Sequence, residues 1–370
     1  RYQFHAGKII GLYIKKKIRD HEKILLISAI TQIVFLGFKE YAVINCSVEI
    51  AKKLKLYPGL INASLKKLSK NKIKLIDIQI NYNDLPKWFQ NQTKDLSISE
   101  KRMFIKNFTK EPDIHIIFKN KNYLREFDEK IIKTSEISGF LINKEDIKSK
   151  KTFVKGNWWV QDFSSFFPLY NIEFKNKQGK FLDTCAAPGG KAFQLLSNNY
   201  NVVLNDKSIN RIQTLKSNLI RLKFKTRILN KDFIKFDNKE KYDVIVIDAP
   251  CSSVGTIRKN PEIFFKNKQP DFESLNLIQE KMLEKAGLLL NKNGYIVYMT
   301  CSFFKNENEE QIYKFLKKNK EFEIMSFKHS IKNVDYFKLI KNNFIKTLPN
   351  NVLDRNIDGY FAAYMKKKDD

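Results

Sequence analysis

Apolar positions recur along the chain at two different spacings. Over residues 1 to about 72 they repeat at helical spacing beside lysine-rich faces, which predicts an all-helical segment. A helix break is predicted at Tyr57-Pro58-Gly59, and the helical pattern resumes from Leu60 to Leu68. The chain is therefore predicted to begin with a small helical bundle. One apolar set on a shared helical face consists of Ile44, Val48, Ala51 and Leu54.

From about residue 75 to 150 the pattern is mixed, with one predicted strand at Ile114–Phe118. Beyond about Gly156, short apolar runs alternate with helical patterns, which predict helices over Ile209–Leu222 and Phe272–Leu290. Such alternation predicts an α/β fold with a parallel, doubly wound sheet, in which ligands bind beyond the carboxyl ends of the strands. The predicted strands are Lys180–Cys185, Asn201–Asn205, Thr226–Asn230, Tyr242–Ile247 and Gly294–Thr300.

The charge balance is strongly basic, with 68 Lys and Arg against 40 Asp and Glu and a formal net charge of +28. Such a field attracts polyanions, so nucleic acid is the expected partner. An AT-rich genome also fills solvated positions with Lys, Asn and Ile. The charge by itself therefore supports nucleic-acid binding only weakly.

The longest apolar run, Ile24–Phe38, contains Ser28, Thr31 and Gln32 and is shorter than the roughly 20 residues that cross a bilayer. It is interpreted as a buried helix. Since no secretory signal pattern is visible, we expect a cytoplasmic protein without membrane contact. No feature of the sequence requires more than a monomer.

The four cysteines, at positions 46, 185, 251 and 301, form no Cys-x-x-Cys pair, and the chain has only four histidines. This spacing predicts neither a metal site nor a disulfide framework, so reduced thiols are expected. Cys46 is interpreted as a small buried residue. The other three cysteines follow predicted strands and are candidates for chemistry.

The turn after the first strand of the predicted sheet consists mainly of small residues. They allow the backbone to approach a ligand closely, and the following helix directs its free amide groups at that ligand. The next two strands end at Asp206 and Asp232, whose carboxylates can accept hydrogen bonds from a ribose and from an adenine amino group, or can instead cap helices. The three turns together favour a cofactor that carries a nucleoside. The first turn contains Cys185, Ala186, Ala187, Pro188, Gly189, Gly190 and Lys191.

Two thiols and a carboxylate follow the last two strands of the predicted sheet. The fourth strand leads to Asp248 and Cys251, and the fifth leads to Cys301. Because consecutive strands of such a sheet are commonly neighbours, these three side chains are expected to converge on one patch.

Four strings, FLDTCAAPGGK, IDAPCSSVGTIRKNPEI, MTCS and DGYFAAY, resemble in order and spacing the Sun/Fmu-type RNA cytosine C5-methyltransferases of bacteria. The Pro-Cys-Ser and Thr-Cys-Ser pair is the discriminating feature, and the resemblance runs from about residue 150 to 366. It implies a Rossmann-like catalytic domain over residues 151–370 that uses S-adenosyl-L-methionine. Residues 24–72 also resemble the end of a NusB-like helical RNA-binding domain, here assigned to 1–74 with its start missing, and residues 75–150 form a small mixed linker domain.

The resemblance also implies roles for individual residues. Cys301 adds to C6 of cytosine, Cys251 acts in the release step, and Asp248 and Lys191 contact the base or the cofactor. The cofactor would lie against residues 185–191, Asp206, Asp232 and Asp248. Small-subunit ribosomal RNA is the implied substrate, with transfer RNA as the alternative. Three further basic residues, read either as phosphate contacts or as solvated charge, are Arg258, Lys259 and Lys266.

Two other functions compete with this interpretation. A DNA cytosine C5-methyltransferase would use the Pro-Cys cysteine as its nucleophile and would not need Thr-Cys-Ser, so the presence of both cysteines argues against it. A non-catalytic RNA-binding assembly factor with a degenerate methyltransferase fold would not need the intact cysteines and glycines.

Overall fold

The structure is a computed structural model, and it describes residues 1–143, 146–174, 176, 178–237, 240–266, 268–325, 336 and 339–369. The chain divides into two compact units, Arg1–Ile105 and Lys106–Asp370. The domain boundaries at 74 and 150 stay predictions.

The first unit is helical, as the apolar spacing predicts for residues 1 to about 72, and two more helices follow in the segment of mixed pattern. Residues 24–35 of the run Ile24–Phe38 lie in α2 and in the π-helical turn Thr31–Phe35 that continues it, and Leu26, Ile30 and Ile33 are buried. Leu36 and Phe38 follow this turn and are exposed, so the prediction of a buried helix is wrong for the end of the run. Pro58 occupies the first turn of α4, where its missing N–H costs nothing. The helices are α1 (Gln3–Tyr13), α2 (Asp20–Ile30), α3 (Glu40–Lys53), α4 (Pro58–Ser69), α5 (Lys72–Ile76), α6 (Lys87–Gln92) and α7 (Ile98–Asn107).

Two predicted core positions in this unit are wrong. Cys46 is exposed, because α3 buries the face that carries Ile44, Ser47 and Ala51, and residue 46 falls outside that face. Leu54 follows the last residue of α3 and is also exposed. Among the described residues, no helix combines the length and the apolar character that a membrane span needs.

The second unit contains a small antiparallel sheet of strand order β2-β3-β1-β4. The predicted strand at 114–118 is confirmed as β1. These strands are β1 (His115–Phe118), β2 (Ile131–Ser135), β3 (Ser138–Leu141) and β4 (Trp158–Val160), accompanied by the short helices α8 (Lys121–Arg125) and α9 (Lys151–Val154).

The predicted doubly wound sheet is confirmed as the core of the second unit. The described strands follow the order β11-β12-β15-β9-β8-β5-β6-β7, with β10 paired to β15. The run from β9 to β7 is parallel, and β15 adds to β9 in the antiparallel direction. The strands are β5 (Lys180–Asp183), β6 (Asn201–Asn205), β7 (Ile228–Leu229), β8 (Tyr242–Asp248), β9 (Leu290–Thr300), β10 (Phe322–Ile324), β11 (Ile340–Lys341), β12 (Phe344–Thr347) and β15 (Tyr360–Lys367); β13 (Asn350–Val352) and β14 (Arg355–Ile357) form a separate hairpin.

Both faces of this sheet are covered by helices. Along β8, Val244 and Val246 belong to one apolar cluster, whereas Ile245 and Ile247 belong to the other. This explains the continuous apolar run of β8, which is typical of a strand buried on both faces. The first cluster includes residues of α10 (Phe163–Tyr170), α11 (Gly190–Ser197) and α12 (Ile209–Leu222), and the second includes residues of α13 (Phe272–Leu289) and α14 (Glu309–Lys318).

Strand order brings the candidate residues to one edge. β5, β8 and β9 are adjacent and parallel, and Asp248 at the end of β8 pairs in register with Met299 of β9. The turns that follow these three strands therefore all lie at the carboxyl ends of the parallel strands, where a doubly wound fold binds its ligand.

Candidate active site

The turn after β5 has a backbone shape that requires glycine. Gly189 has a φ of +124°, and a Cβ built on it would lie 1.9 Å from the ring of Phe193. The amide of Ala186 donates to the carbonyl of Asn205 at 2.8 Å, which ties the turn to β6. Helix α11 begins at Gly190, so its free amide groups lie at this turn.

A cavity of about 260 Å³ lies beside this turn. Eight of the twelve predicted site residues line it, whereas Gly189, Asp206, Asp232 and Cys251 are not among its lining residues. The lining residues are Val160, Gln161, Asp162, Ser165, Cys185, Ala186, Ala187, Pro188, Gly190, Lys191, Asp248, Thr256, Lys259, Cys301, Asp358 and Tyr360.

The two cysteines predicted to converge are in contact. The Sγ atoms of Cys251 and Cys301 are 3.3 Å apart, and the Oγ of Ser253 lies 3.3 Å from the Sγ of Cys301. The hydrogen bond from Cys251 lowers the pKa of Cys301 below its usual range, and Lys191 adds to this effect. The same bond, together with burial, raises the pKa of Cys251 well above its usual range. Of the two thiols, Cys301 is therefore the one whose ionisation this contact favours.

The third cysteine of this region is a poor nucleophile. Burial, with the nearby carboxylates of Asp248 and Asp183, raises the pKa of Cys185 to about 12. Burial also raises the pKa of Asp183 to about 7, and the charge of Asp248 contributes. Among the three thiols, Cys301 alone has a lowered pKa, which favours its thiolate form.

Asp248 is held by two donors. Lys191 Nζ donates to Asp248 Oδ2 at 2.6 Å, and the Tyr360 hydroxyl donates to Asp248 Oδ1 at 3.2 Å. Lys191 also lies 5.4 Å from the centroid of the Tyr360 ring. Sequence reasoning missed Tyr360, although it belongs to the DGYFAAY string, because nothing local connects it with a carboxylate 112 positions earlier.

The two aspartates predicted to hold a nucleoside already have local partners. Asp206 accepts from the backbone N–H groups of Ala187 at 3.2 Å and Ser208 at 2.9 Å. Asp232 accepts from the N–H of Ile234 as a helix N-cap and pairs with Lys207 at 3.0 Å. Their roles toward a nucleoside stay predictions.

Arg258 is not a surface phosphate contact, and that interpretation is wrong. Its side chain is fully buried, and its guanidinium pairs with Asp358 at 3.2 Å. Lys259 lies between two carboxylates, at 2.8 Å from Asp162 and 2.6 Å from Asp358. Lys266 is exposed, as solvated charge requires.

A buried glutamate that sequence reasoning missed joins the two cysteine turns. Glu307 accepts from the backbone N–H of Ser252 at 2.7 Å and from its hydroxyl at 2.6 Å. It also accepts from the hydroxyl of Ser302 at 2.5 Å. Because each serine directly follows one of the cysteines, Glu307 fixes the spacing of the two thiols. The only feature of the sequence that points to this contact is the serine that directly follows each of the two cysteines.

The opposite pKa shifts predict how alkylation depends on pH. A thiol reacts as its thiolate, so the lowered pKa keeps Cys301 reactive at lower pH. In Cys251→Ala the largest cause of that lowering is lost, and the midpoint for alkylation of Cys301 by iodoacetamide should move to higher pH. Peptide mass spectrometry over a pH series measures this midpoint. Cys251→Ser retains a donor and should move it less; equal midpoints in all three proteins would contradict the assignment.

No group of three or more His, Cys, Asp or Glu residues in the described part of the chain could hold a metal ion. The polar groups that line the cavity are amides, hydroxyls, thiols, carboxylates and lysines, which suit an organic cofactor and a nucleobase.

Known proteins share both the sequence and the fold. Ribosomal RNA small subunit methyltransferase B of Photorhabdus laumondii subsp. laumondii is 27% identical over 336 residues, which cover 85% of this chain and 78% of that protein. The crystal structure of PH0851 matches with a TM-score of 0.74 at 21% identity, over 99% of this chain and 88% of that chain. NSun6 from Pyrococcus horikoshii with SFG matches with a TM-score of 0.64 at 18% identity, over 77% of this chain and 99% of that chain.

The family model for 16S rRNA methyltransferase RsmB/F matches residues 170–366, which is more than half of the chain. The matched range includes the glycine turn, both cysteine turns and Tyr360. The resemblance drawn from the four sequence strings is confirmed, and the chain belongs to the 16S rRNA methyltransferase RsmB/F family of RNA methyltransferases.

Proposed function

We propose that the protein transfers a methyl group from S-adenosyl-L-methionine to C5 of a cytosine in small-subunit ribosomal RNA, through a covalent bond between Cys301 and C6. The observation that carries this proposal is the contact between the two thiols at 3.3 Å, with the pKa of Cys301 lowered and that of Cys251 raised. One thiolate and one thiol side by side suit a reaction in which sulfur first attacks a ring and later leaves it.

The glycine turn fits the cofactor. A cavity wall of backbone from Cys185 to Gly190, with no large side chain, allows close approach of a ligand, and the start of α11 adds free amides. When bound, S-adenosyl-L-methionine supplies an electrophilic methyl group on a sulfonium sulfur. NSun6 from Pyrococcus horikoshii, which shares this fold, was crystallised with SFG.

Cys301 begins the reaction by adding its thiolate to C6, which forms the S–C6 bond and moves the π-electron pair of the ring toward C5. C5 then forms a bond to the methyl carbon as the bond between that carbon and the sulfonium sulfur breaks, and the electron pair of the broken bond stays on the sulfur, which becomes a neutral thioether. C5 afterwards loses its hydrogen as a proton to water. The electrons of that C–H bond restore the C5–C6 double bond as the S–C6 bond breaks. Its electron pair returns to Cys301 as a thiolate. Overall, cytosine gains a methyl group and releases one proton.

Cys251 supports both the first and the last step. Its thiol keeps its proton and donates to the Cys301 sulfur, so it stabilises the thiolate before addition and again at departure. Asp248 lines the same cavity, paired with Lys191, and is the acceptor available to the cytosine amino group. A nucleophilic role for Cys251, as in a DNA cytosine C5-methyltransferase, is disfavoured by its raised pKa.

Methylation by the purified protein tests this function. We expect tritium from methyl-labelled S-adenosyl-L-methionine to enter 16S ribosomal RNA, and nucleoside mass spectrometry to identify 5-methylcytidine. Bisulfite sequencing then locates the base. A product only in transfer RNA would favour the alternative substrate, and RNA binding without any methylated product would favour a non-catalytic assembly factor.

A further inference from the structure

Tyr360 is the first residue of β15 and is almost completely buried, and its hydroxyl reaches the candidate base-contacting carboxylate. Resting on the function proposed above, we propose that Tyr360 is a positioning residue that holds the Asp248 carboxylate in one orientation toward the cytosine. Lys191 provides the second point of attachment, at the other oxygen of the same carboxylate.

The backbone around Tyr360 is tied to both cysteine turns. The N–H of Gly359 donates to the carbonyl of Gly255 at 2.9 Å, and the N–H of Gly255 donates to the carbonyl of Cys301 at 3.0 Å. A Cβ on Gly255 would lie 1.9 Å from the carbonyl oxygen of Gly359, so this close approach requires glycine. On the other side, Phe361 pairs in register with Thr300 of β9. The position of Tyr360 relative to Cys301 is therefore set by the backbone.

The residue before Gly359 anchors the same turn through charge. Asp358 is buried and pairs with Arg258 and Lys259. Its carbonyl accepts from the hydroxyls of Ser164 at 2.7 Å and Thr347 at 2.8 Å. Removing one partner of a buried ion pair leaves an uncompensated buried charge, so these pairs keep this turn in one arrangement. This gives the buried Arg258 a role in the site without any contact to RNA.

Two attachments restrict a carboxylate more than one does. The terminal torsion of an aspartate is broad, so a single bond from Lys191 leaves the carboxylate free to rotate about that bond. The Tyr360 hydroxyl removes this freedom and leaves the remaining lone pairs of Asp248 in fixed directions. Burial and the nearby Asp248 raise the pKa of Tyr360 well above its usual range, so the phenol keeps the proton that it donates.

Tyr360→Phe removes the hydroxyl and keeps the buried ring. We expect kcat on 16S ribosomal RNA to fall about tenfold, the order expected when a hydrogen bond to a charged group is lost. KM for RNA, the affinity for S-adenosyl-L-methionine and the melting temperature should stay at wild-type values. The matched control is Tyr364→Phe, because Tyr364 is buried on the same strand but does not line the cavity. It should keep the wild-type kcat.

A double-mutant cycle shows whether Tyr360 acts through Asp248. If it does, the substitution Tyr360→Phe lowers kcat when Asp248 is present. In the Asp248→Asn background the same substitution causes no further loss of kcat. An unchanged kcat in Tyr360→Phe, or losses that simply add in the double variant, would overturn the inference.

RNA with 5-fluorocytosine at the target position separates this inference from the proposed function. Fluorine cannot leave C5 as a proton does, so the covalent complex accumulates. The wild type should form it, and Tyr360→Phe should form it about tenfold more slowly, because a carboxylate that is not held in place orients the cytosine less well for addition. Equal rates would reject the role of Tyr360 while the proposed function stands. No complex with the wild type would reject both.

Discussion

The rate of methyl transfer to RNA is expected to fall by about 10⁴-fold or more in Cys301→Ala, as happens when a covalent nucleophile is removed. Without the sulfur no bond forms at C6, and C5 of cytosine is too weak a nucleophile to take the methyl group. The glycine turn and the bonds of Asp248 do not involve this thiol, so the affinity for S-adenosyl-L-methionine should persist. Initial rates with methyl-labelled cofactor measure the loss, and calorimetric titration measures the affinity.

The control for this variant is Cys46→Ala, which removes an exposed thiol in the first unit and should keep the wild-type rate. Full activity in Cys301→Ala, together with loss in Cys251→Ala, would identify Cys251 as the nucleophile. The protein would then use the arrangement of the DNA enzymes, and the proposed roles of the two thiols would be reversed.

Cys251→Ala is expected to remain covalently attached to its RNA, with turnover close to a single event per molecule. The lost hydrogen bond leaves the Cys301 thiolate less stable, which raises its intrinsic nucleophilicity and makes it a poorer leaving group. Addition therefore still occurs, whereas release slows. A band that resists denaturing electrophoresis and disappears on ribonuclease treatment would report the adduct.

The double variant Cys251→Ala with Cys301→Ala should form no such band, because the attacking sulfur is absent. Cys251→Ser should release RNA faster than Cys251→Ala, since its hydroxyl can still donate to the departing thiolate. Normal multiple turnover in Cys251→Ala would show that release does not need the neighbouring thiol.

Local sequence predicted the scaffold well where its signals are short-range. The strand at Asn201–Asn205 and the helix at Ile209–Leu222 have the predicted bounds, because apolar spacing and caps lie within each element. The strand predicted at Thr226–Asn230 covers only Ile228–Leu229 in the structure. The described part of the sheet ends at this strand, β7, which pairs with one neighbour. Cys46 was misplaced because residue type alone does not reveal which face of a helix is buried.

The partners of the charged side chains at the site could not be predicted from local sequence. The basic string around Arg258 suggests a phosphate contact, yet its partner Asp358 lies 100 positions later in the chain. Tyr360 lies 112 positions after Asp248, and Glu307 lies 55 positions after Ser252, so local sequence connects neither pair. Each of these contacts exists only because β15 joins the sheet beside β9 and because the cysteine turns meet.

By itself, the sequence determined the parallel sheet, the order of its chemistry-bearing turns and the family to which the chain belongs. Those properties follow from the spacing of apolar residues and from strings of adjacent residues. Tertiary structure alone decided that the pKa of Cys301 is lowered while that of Cys251 is raised, and that Arg258 is buried. The reason is that a pKa and an ion pair depend on desolvation and on charges within a few ångströms, which the fold brings together from distant parts of the chain.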